Sequence, residues 1–227
     1  MYFHQWFDEE SSTYSYLLAA RAGGEALIID PVLEHAQEYL ELVANLKLRL
    51  VIAADTHTHA DHVTALGALR TATACTTMMG EQTKAECVSA RFRDGEALNV
   101  DGLAVRALYT PGHTNESYSF VMPDRVFTGD VLLIQGTGRT DFQGGDPLQS
   151  YDSIFNKLLK LPDDTRVYPA HDYNEVTSST IGEERATNPR LQVANAAEYA
   201  AIMNALKLPS PKLMDVAVSA NLRCGRL

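Results

Sequence analysis

Three of the chain's seven histidines fall within six residues, in His57-Thr58-His59-Ala60-Asp61-His62. They follow the apolar run Leu50 to Ala54, which reads as a buried strand. The cluster is therefore expected on a loop at a strand's carboxyl end, leading into a helix over His62 to Leu69. Open α/β sheets place their ligand sites at such ends. Imidazole and carboxylate donors on a short loop can converge on one ion, and zinc and iron accept both. The same chemistry recurs at later strand ends: His113 in Thr110-Pro111-Gly112-His113-Thr114, Asp130 in Phe127-Thr128-Gly129-Asp130, and His171 in Tyr168-Pro169-Ala170-His171-Asp172. Any one of these alone is better explained as a hydrogen-bonded loop residue. Together they are a strong signal of a site built from several strand ends.

The rest of the pattern fits such a fold. Tyr14 to Ala20, Ala26 to Ile29 and Leu50 to Ala54 read as strands, with an amphipathic helix over Glu34 to Leu46. Ala104 to Leu108, Tyr118 to Val121 and Arg125 to Phe127 are short strands separated by Pro and Gly turns, more antiparallel than wound. A Gly-rich loop from Gly136 to Gly145 precedes a helix over Pro147 to Leu161 with proline in its first turn, then a strand over Arg166 to Tyr168. From about Thr180 the chain is helical and then irregular. Repeats, low-complexity tracts and Pro/Ser-rich linkers are missing from the 227 residues, so a single domain over 1–227 is expected.

Composition narrows the function classes. Apolar residues make up 45% and charged residues 21%, as in packed globular domains. The net charge of −10 should repel a phosphate backbone, so no nucleic-acid partner is expected. Apolar runs fall far short of the ~20 residues a membrane span needs. The start, Met1-Tyr2-Phe3-His4-Gln5-Trp6-Phe7-Asp8, has no export or transit pattern, so a soluble, cytoplasmic protein is expected. Cys75, Cys87 and Cys224 are odd in number and form no C-x-x-C pair, which argues against a disulfide framework and for a reducing compartment.

The ordered set His-x-His-x-Asp-His, His113, Asp130 and His171 resembles the metallo-β-lactamase superfamily along the whole chain. The resemblance narrows at Thr128-Gly129-Asp130-Val131-Leu132-Leu133-Ile134, Gly138-Arg139-Thr140-Asp141-Phe142-Gln143, Tyr168-Pro169-Ala170-His171-Asp172-Tyr173, Glu183-Glu184-Arg185 with Asn188-Pro189-Arg190-Leu191, and Ala220-Asn221-Leu222-Arg223-Cys224-Gly225. These segments, with the opening Ser11-Ser12-Thr13-Tyr14, look like the persulfide dioxygenases, the ethylmalonic-encephalopathy-protein-like branch related to glyoxalase II. The resemblance implies an α+β fold, an αββα sandwich of two mixed β-sheets flanked by helices with the metal at one edge.

It further implies a non-haem Fe(II) enzyme of sulfide oxidation that converts glutathione persulfide and O₂ to sulfite and glutathione. One iron per chain would be held by His57, His113 and Asp130, with no flavin, NAD or 2-oxoglutarate. His59, Asp61, His62 and His171 would orient ligands or move protons. Arg190 and Tyr173, with Arg139 and Arg223 as further candidates, would receive the thiol's carboxylates, a task suited to arginine. A homodimer and a sulfurtransferase or sulfide-oxidising partner are compatible with this reading. The alternatives are a binuclear hydrolase of glutathione thioesters, since every dinuclear ligand position is filled, and a non-catalytic iron or persulfide sensor. The remaining features read as structural: Arg139 pairing with Asp141, Cys224 and Met78-Met79 in the core, Gly136-x-Gly138 as a loop and not a dinucleotide fingerprint, and Glu183-Glu184-Arg185 as a solvated helix face.

Overall fold

The computed structural model describes residues 1–173, 176–211 and 213–226. It divides into two compact units, one of Met1–Phe92, Ala97–Val105 and Ser210–Leu227, the other of Arg93–Glu96 and Arg106–Pro209.

The first unit holds a six-stranded sheet in the order β1 (Tyr2–Asp8), β2 (Thr13–Ala19), β3 (Glu25–Ile29), β4 (Arg49–Ala54), β5 (Thr76–Gly80) and β6 (Ala90–Phe92). β1 to β3 are antiparallel, whereas β3 to β6 run parallel. The apolar runs of β2, β3 and β4 are almost wholly buried, and Leu17, Ile28, Tyr39, Ala53, Leu66 and Met79 share one core with the helices α1 (Ala36–Asn45) and α2 (Leu66–Thr73). The parallel strands fix the position of the histidine loop, because Asp30 follows β3 and residues 55–62 follow β4 at the same sheet edge.

The second sheet runs β12 (Ser179–Thr180), β11 (Arg166–Pro169), β10 (Arg125–Gly129), β9 (Tyr118–Val121), β8 (Leu103–Tyr109) and β7 (Ala97–Val100). β8, β9 and β10 alternate in direction and β11 lies parallel to β10, so β8, β10 and β11 all point one way. The segments that follow them carry His113, Asp130 and His171. Val126, Leu132, Ile154, Leu158, Val167 and Tyr199 form the second unit's core, closed by α3 (Pro147–Tyr151), α4 (Ile181–Thr187) and α5 (Ala196–Ala205). The chain ends in the first unit with α6 (Met214–Asn221).

Four expectations are corrected. The helix expected from His62 starts at Leu66, because Thr64 instead bridges Val32 and donates its amide to Asn221. The helix from Pro147 has proline in its first turn as expected and is capped by the Asp146 side chain, but it changes pitch, passing into a π-turn over Asp152–Lys157 and a 3₁₀ turn over Leu158–Lys160. Cys87 and Cys224 are paired in a disulfide, Cα to Cα 5.9 Å, with only Cys75 left as a thiol. They lie 137 residues apart, a pairing that counting cysteines and local spacing cannot see. Glu184 is fully buried rather than solvated, accepting from the Gln135 amide at 2.9 Å and from Asn188 Nδ2 at 2.7 Å.

Candidate metal centre

In the first unit, Asp30 and the loop after β4 form a closed hydrogen-bond network. Asp30 Oδ1 accepts from the Thr56 amide at 2.6 Å, and Oδ2 accepts from Thr56 Oγ1 at 3.0 Å. A threonine hydroxyl has one proton to give. With that proton on Asp30, the 2.9 Å contact between Thr56 Oγ1 and His57 Nδ1 is one in which the imidazole donates. His57 is thereby held in the tautomer whose lone pair sits on Nε2, the form a metal ligand needs. His59 is arranged the other way, with Nε2 3.1 Å from Asp30 Oδ1. Burial lowers its pKa, but the Asp30 charge and hydrogen bond, with Asp61 and Asp55 beyond, outweigh that and push it up to about 9. Asp30 thus favours the protonated form of His59.

Asp61 Oδ2 lies 2.8 Å from His62 Nδ1 and accepts from Thr13 Oγ1 at 3.0 Å. This ties the opening segment to the loop, since Ser11 Oγ contacts Thr13 Oγ1 at 2.7 Å. The potential donor atoms of His59, Asp61 and His62, and likewise those of Asp30, Asp55 and His59, lie within 4.8 Å of one another.

In the second unit, His113 Nδ1 is 2.8 Å from the Arg139 carbonyl, which can only accept, so this imidazole also carries its lone pair on Nε2. That atom lies 3.6 Å from Asp130 Oδ2, while Asp130 Oδ1 lies 2.6 Å from His171 Nδ1. The two oxygens of one carboxylate are therefore differently used. A break in the β10·β11 register between Phe127 and Gly129 re-aims the chain just before Asp130. Gly138 lets the Gly-rich loop close down here, because a Cβ would strike the Asp130 carbonyl and sit 2.9 Å from His113 Nδ1. Within this unit, His113 with its Nδ1 proton assigned and a carboxylate oxygen turned toward its Nε2 are nitrogen and oxygen donors of the kind that iron or zinc accepts.

The remaining predicted residues are placed as follows. Tyr173 is exposed, its ring parallel to that of His171 at 6.1 Å. Arg190 is half-buried, donating through Nη1 to Thr137 O at 2.5 Å. Arg139 makes a two-pronged pair with Asp141 at 2.7 and 2.9 Å and donates to the Pro209 carbonyl at 2.6 Å, as its structural reading anticipated. Arg223, in the first unit, is exposed and donates to Ser219 O at 3.3 Å. Sequence reasoning missed Asp30 and Asn221. Asp30 had one signal, a lone acid directly after a wholly apolar strand. Asn221 had none beyond its place in the tail.

Residues 8–87 and 88–171 match the metallo-beta-lactamase superfamily. The mitochondrial persulfide dioxygenase ETHE1 of Bos taurus is 44% identical over 224 residues, which cover 97% of this chain and 87% of that protein. The Homo sapiens protein of the same name is 43% identical over the same shares. The crystal structure of ETHE1 from Myxococcus xanthus agrees with a TM-score of 0.96 at 49% identity, covering 99% of this chain and all of that one. With two mixed sheets, flanking helices and these relatives, the chain belongs to the metallo-β-lactamase superfamily and, within it, to the ETHE1 persulfide dioxygenase family.

Proposed function

We propose that this chain is an Fe(II)-dependent dioxygenase that converts glutathione persulfide, O₂ and water to glutathione and sulfite, as one domain over 1–227 with one iron per chain. The observation that carries the single-metal reading is the division of labour at Asp130. Its Oδ1 is engaged by His171 Nδ1 at 2.6 Å and its Oδ2 faces His113 Nε2 at 3.6 Å, which supports Oδ2 as a metal ligand and His171 as the group that orients it. His57, His113 and Asp130 would then hold the iron. Ferrous iron bound by two histidines and a carboxylate supplies redox mediation between a persulfide sulfur and O₂.

The chain's own residues do the rest. Asp30, through Thr56, keeps the His57 proton on Nδ1, and the Arg139 carbonyl does the same for His113. His59, bonded to Asp30, and the bonded set of His62, Asp61 and Thr13 are assigned to orienting ligands or moving protons. Glutathione brings two carboxylates to a chain of charge −10, so local cations must receive it. Arg190 and Tyr173 are assigned to a carboxylate, with Arg223 as a further candidate. Arg139, already paired with Asp141, is given a loop-shaping part. A cytoplasmic location, read from the sequence, is kept as part of the proposal.

The hydrolase is the second reading, favoured by the clustering of His59, Asp61 and His62. Metal analysis separates the two. One iron per chain is expected, lost in Asp130→Ala and His113→Ala but retained in His171→Ala. Two metals per active chain, or equal metal loss from His171→Ala and His113→Ala, would favour the hydrolase.

A further inference from the structure

The C-terminal tail reaches the histidine loop through one side chain. Asn221, the last residue of α6, is 1% exposed. Its Nδ2 donates to the carbonyls of His59 and His62, both at 2.9 Å, and its Oδ1 accepts the Thr64 amide at 2.8 Å. Both amide protons and the amide oxygen are therefore used on one six-residue stretch, some 160 positions earlier in the chain. Those three backbone groups lie in a stretch, residues 55–65, that belongs to neither a strand nor a helix, and the Asn221 side chain meets all three. The tail is seated at backbone distance: Gly67 N donates to Cys224 O at 3.0 Å, and Gly225, at φ +80°, approaches Thr64 so closely that a Cβ would strike its carbonyl. The Cys87–Cys224 disulfide fastens the same tail to the segment beyond β5.

We propose that Asn221 is a positioning residue for the metal. By pinning His59 O, His62 O and the Thr64 amide, it fixes the path of the loop that carries His57 and so sets how strongly the chain holds iron. This rests on the assignment of His57 as a ligand. An unpinned loop would leave three buried backbone groups without partners, a cost that favours other loop conformations over the one that presents His57. Groups that orient ligands commonly change metal affinity 10- to 100-fold when removed. The effect of Asn221 is indirect, which places it at the lower end.

The test compares Asn221→Asp, which keeps the volume but sets an oxygen against two carbonyls, with Asn221→Leu, which removes all three bonds. Ala217→Gly serves as a control that weakens the same helix while leaving the three Asn221 bonds to the loop in place. Two quantities are read: the Fe(II) Kd by anaerobic chelator competition, and amide exchange of Thr64 in the metal-free protein. The expected result is an Fe(II) Kd raised about tenfold in both Asn221 variants, with faster Thr64 exchange in Asn221→Leu. Ala217→Gly should lower Tm and leave the Kd at the wild-type value. Unchanged Thr64 exchange in Asn221→Leu, or an equal Kd change in Ala217→Gly, would overturn the proposal. Wild-type iron binding by His57→Ala would overturn the ligand assignment beneath it, a result separable from the exchange measurement, which involves no metal.

Discussion

On the proposed reading, Arg190 serves both its loop and the substrate. Its Nη1 is committed to Thr137 O and Oγ1, which anchors the guanidinium, and burial pushes its pKa down, so an anion brought to it meets a partly desolvated charge. A substrate carboxylate received there, as proposed, would lie away from the reacting sulfur and contribute about equally to ground and transition states. Arg190→Ala should therefore raise KM for glutathione persulfide and leave kcat nearly unchanged. A lost charge-assisted hydrogen bond costs ~1.5–3 kcal/mol, roughly one to two powers of ten in kcat/KM. Steady-state kinetics measure the split, and an unaltered KM would move the carboxylate contact to Arg223. Residue types and order made His57, His113, Asp130 and His171 readable, because imidazoles and acids after strands have few other reasons to recur. Asp30 was not readable as their partner, since its 26-residue distance from Thr56 carries no spacing signal and only the β3·β4 pairing brings them together.

At the level of elements, the first turn after β3 is tied to the end of β1 through His35. Its Nε2 lies 3.0 Å from Asp8 Oδ1 and its Nδ1 3.0 Å from Glu38 Oε1. Burial opposes its charge, but Glu38 and Asp8 prevail and raise its pKa above 6.5. Burial likewise opposes the Asp8 charge, yet hydrogen bonds from Ser11 and His35 hold its pKa below 3.8. The raised histidine contributes stability that is complete below its unfolded pKa and lost as pH rises through the folded one. The depressed aspartate contributes stability that is complete above its unfolded pKa and lost as pH falls through the folded one. The tie is thus strongest between about pH 4 and about pH 6.5. His35→Ala should lower Tm more at about pH 5.5 than at about pH 8.5, as thermal melts would show; a pH-independent difference would contradict the pairing. Elements with long apolar runs, such as β2 to β4, were legible. β1 was not, because its residues are half-exposed at a sheet edge and alternate weakly. The histidine loop runs four residues longer than expected because its amides are bonded to Asn221 and Pro31, contacts that helix periodicity does not register.

For the whole molecule, the family relationship spans nearly the entire chain, and no helix among the described residues is long and apolar enough to cross a membrane. Net charge was the coarsest signal, since −10 disfavours polyanions without naming a substrate. The central claim is oxidation of a persulfide by O₂ without other reductants. The terminal sulfur rises from oxidation state 0 to +4, giving up the four electrons that O₂ accepts, while water supplies sulfite's third oxygen and the inner sulfur leaves as thiol. An oxygen electrode coupled to sulfite detection, with purified iron-loaded protein and glutathione persulfide, measures this directly. The account predicts one sulfite per O₂ with no need for NADH or 2-oxoglutarate. Thiol release that continues unchanged without oxygen, or a requirement for either co-substrate, would contradict it.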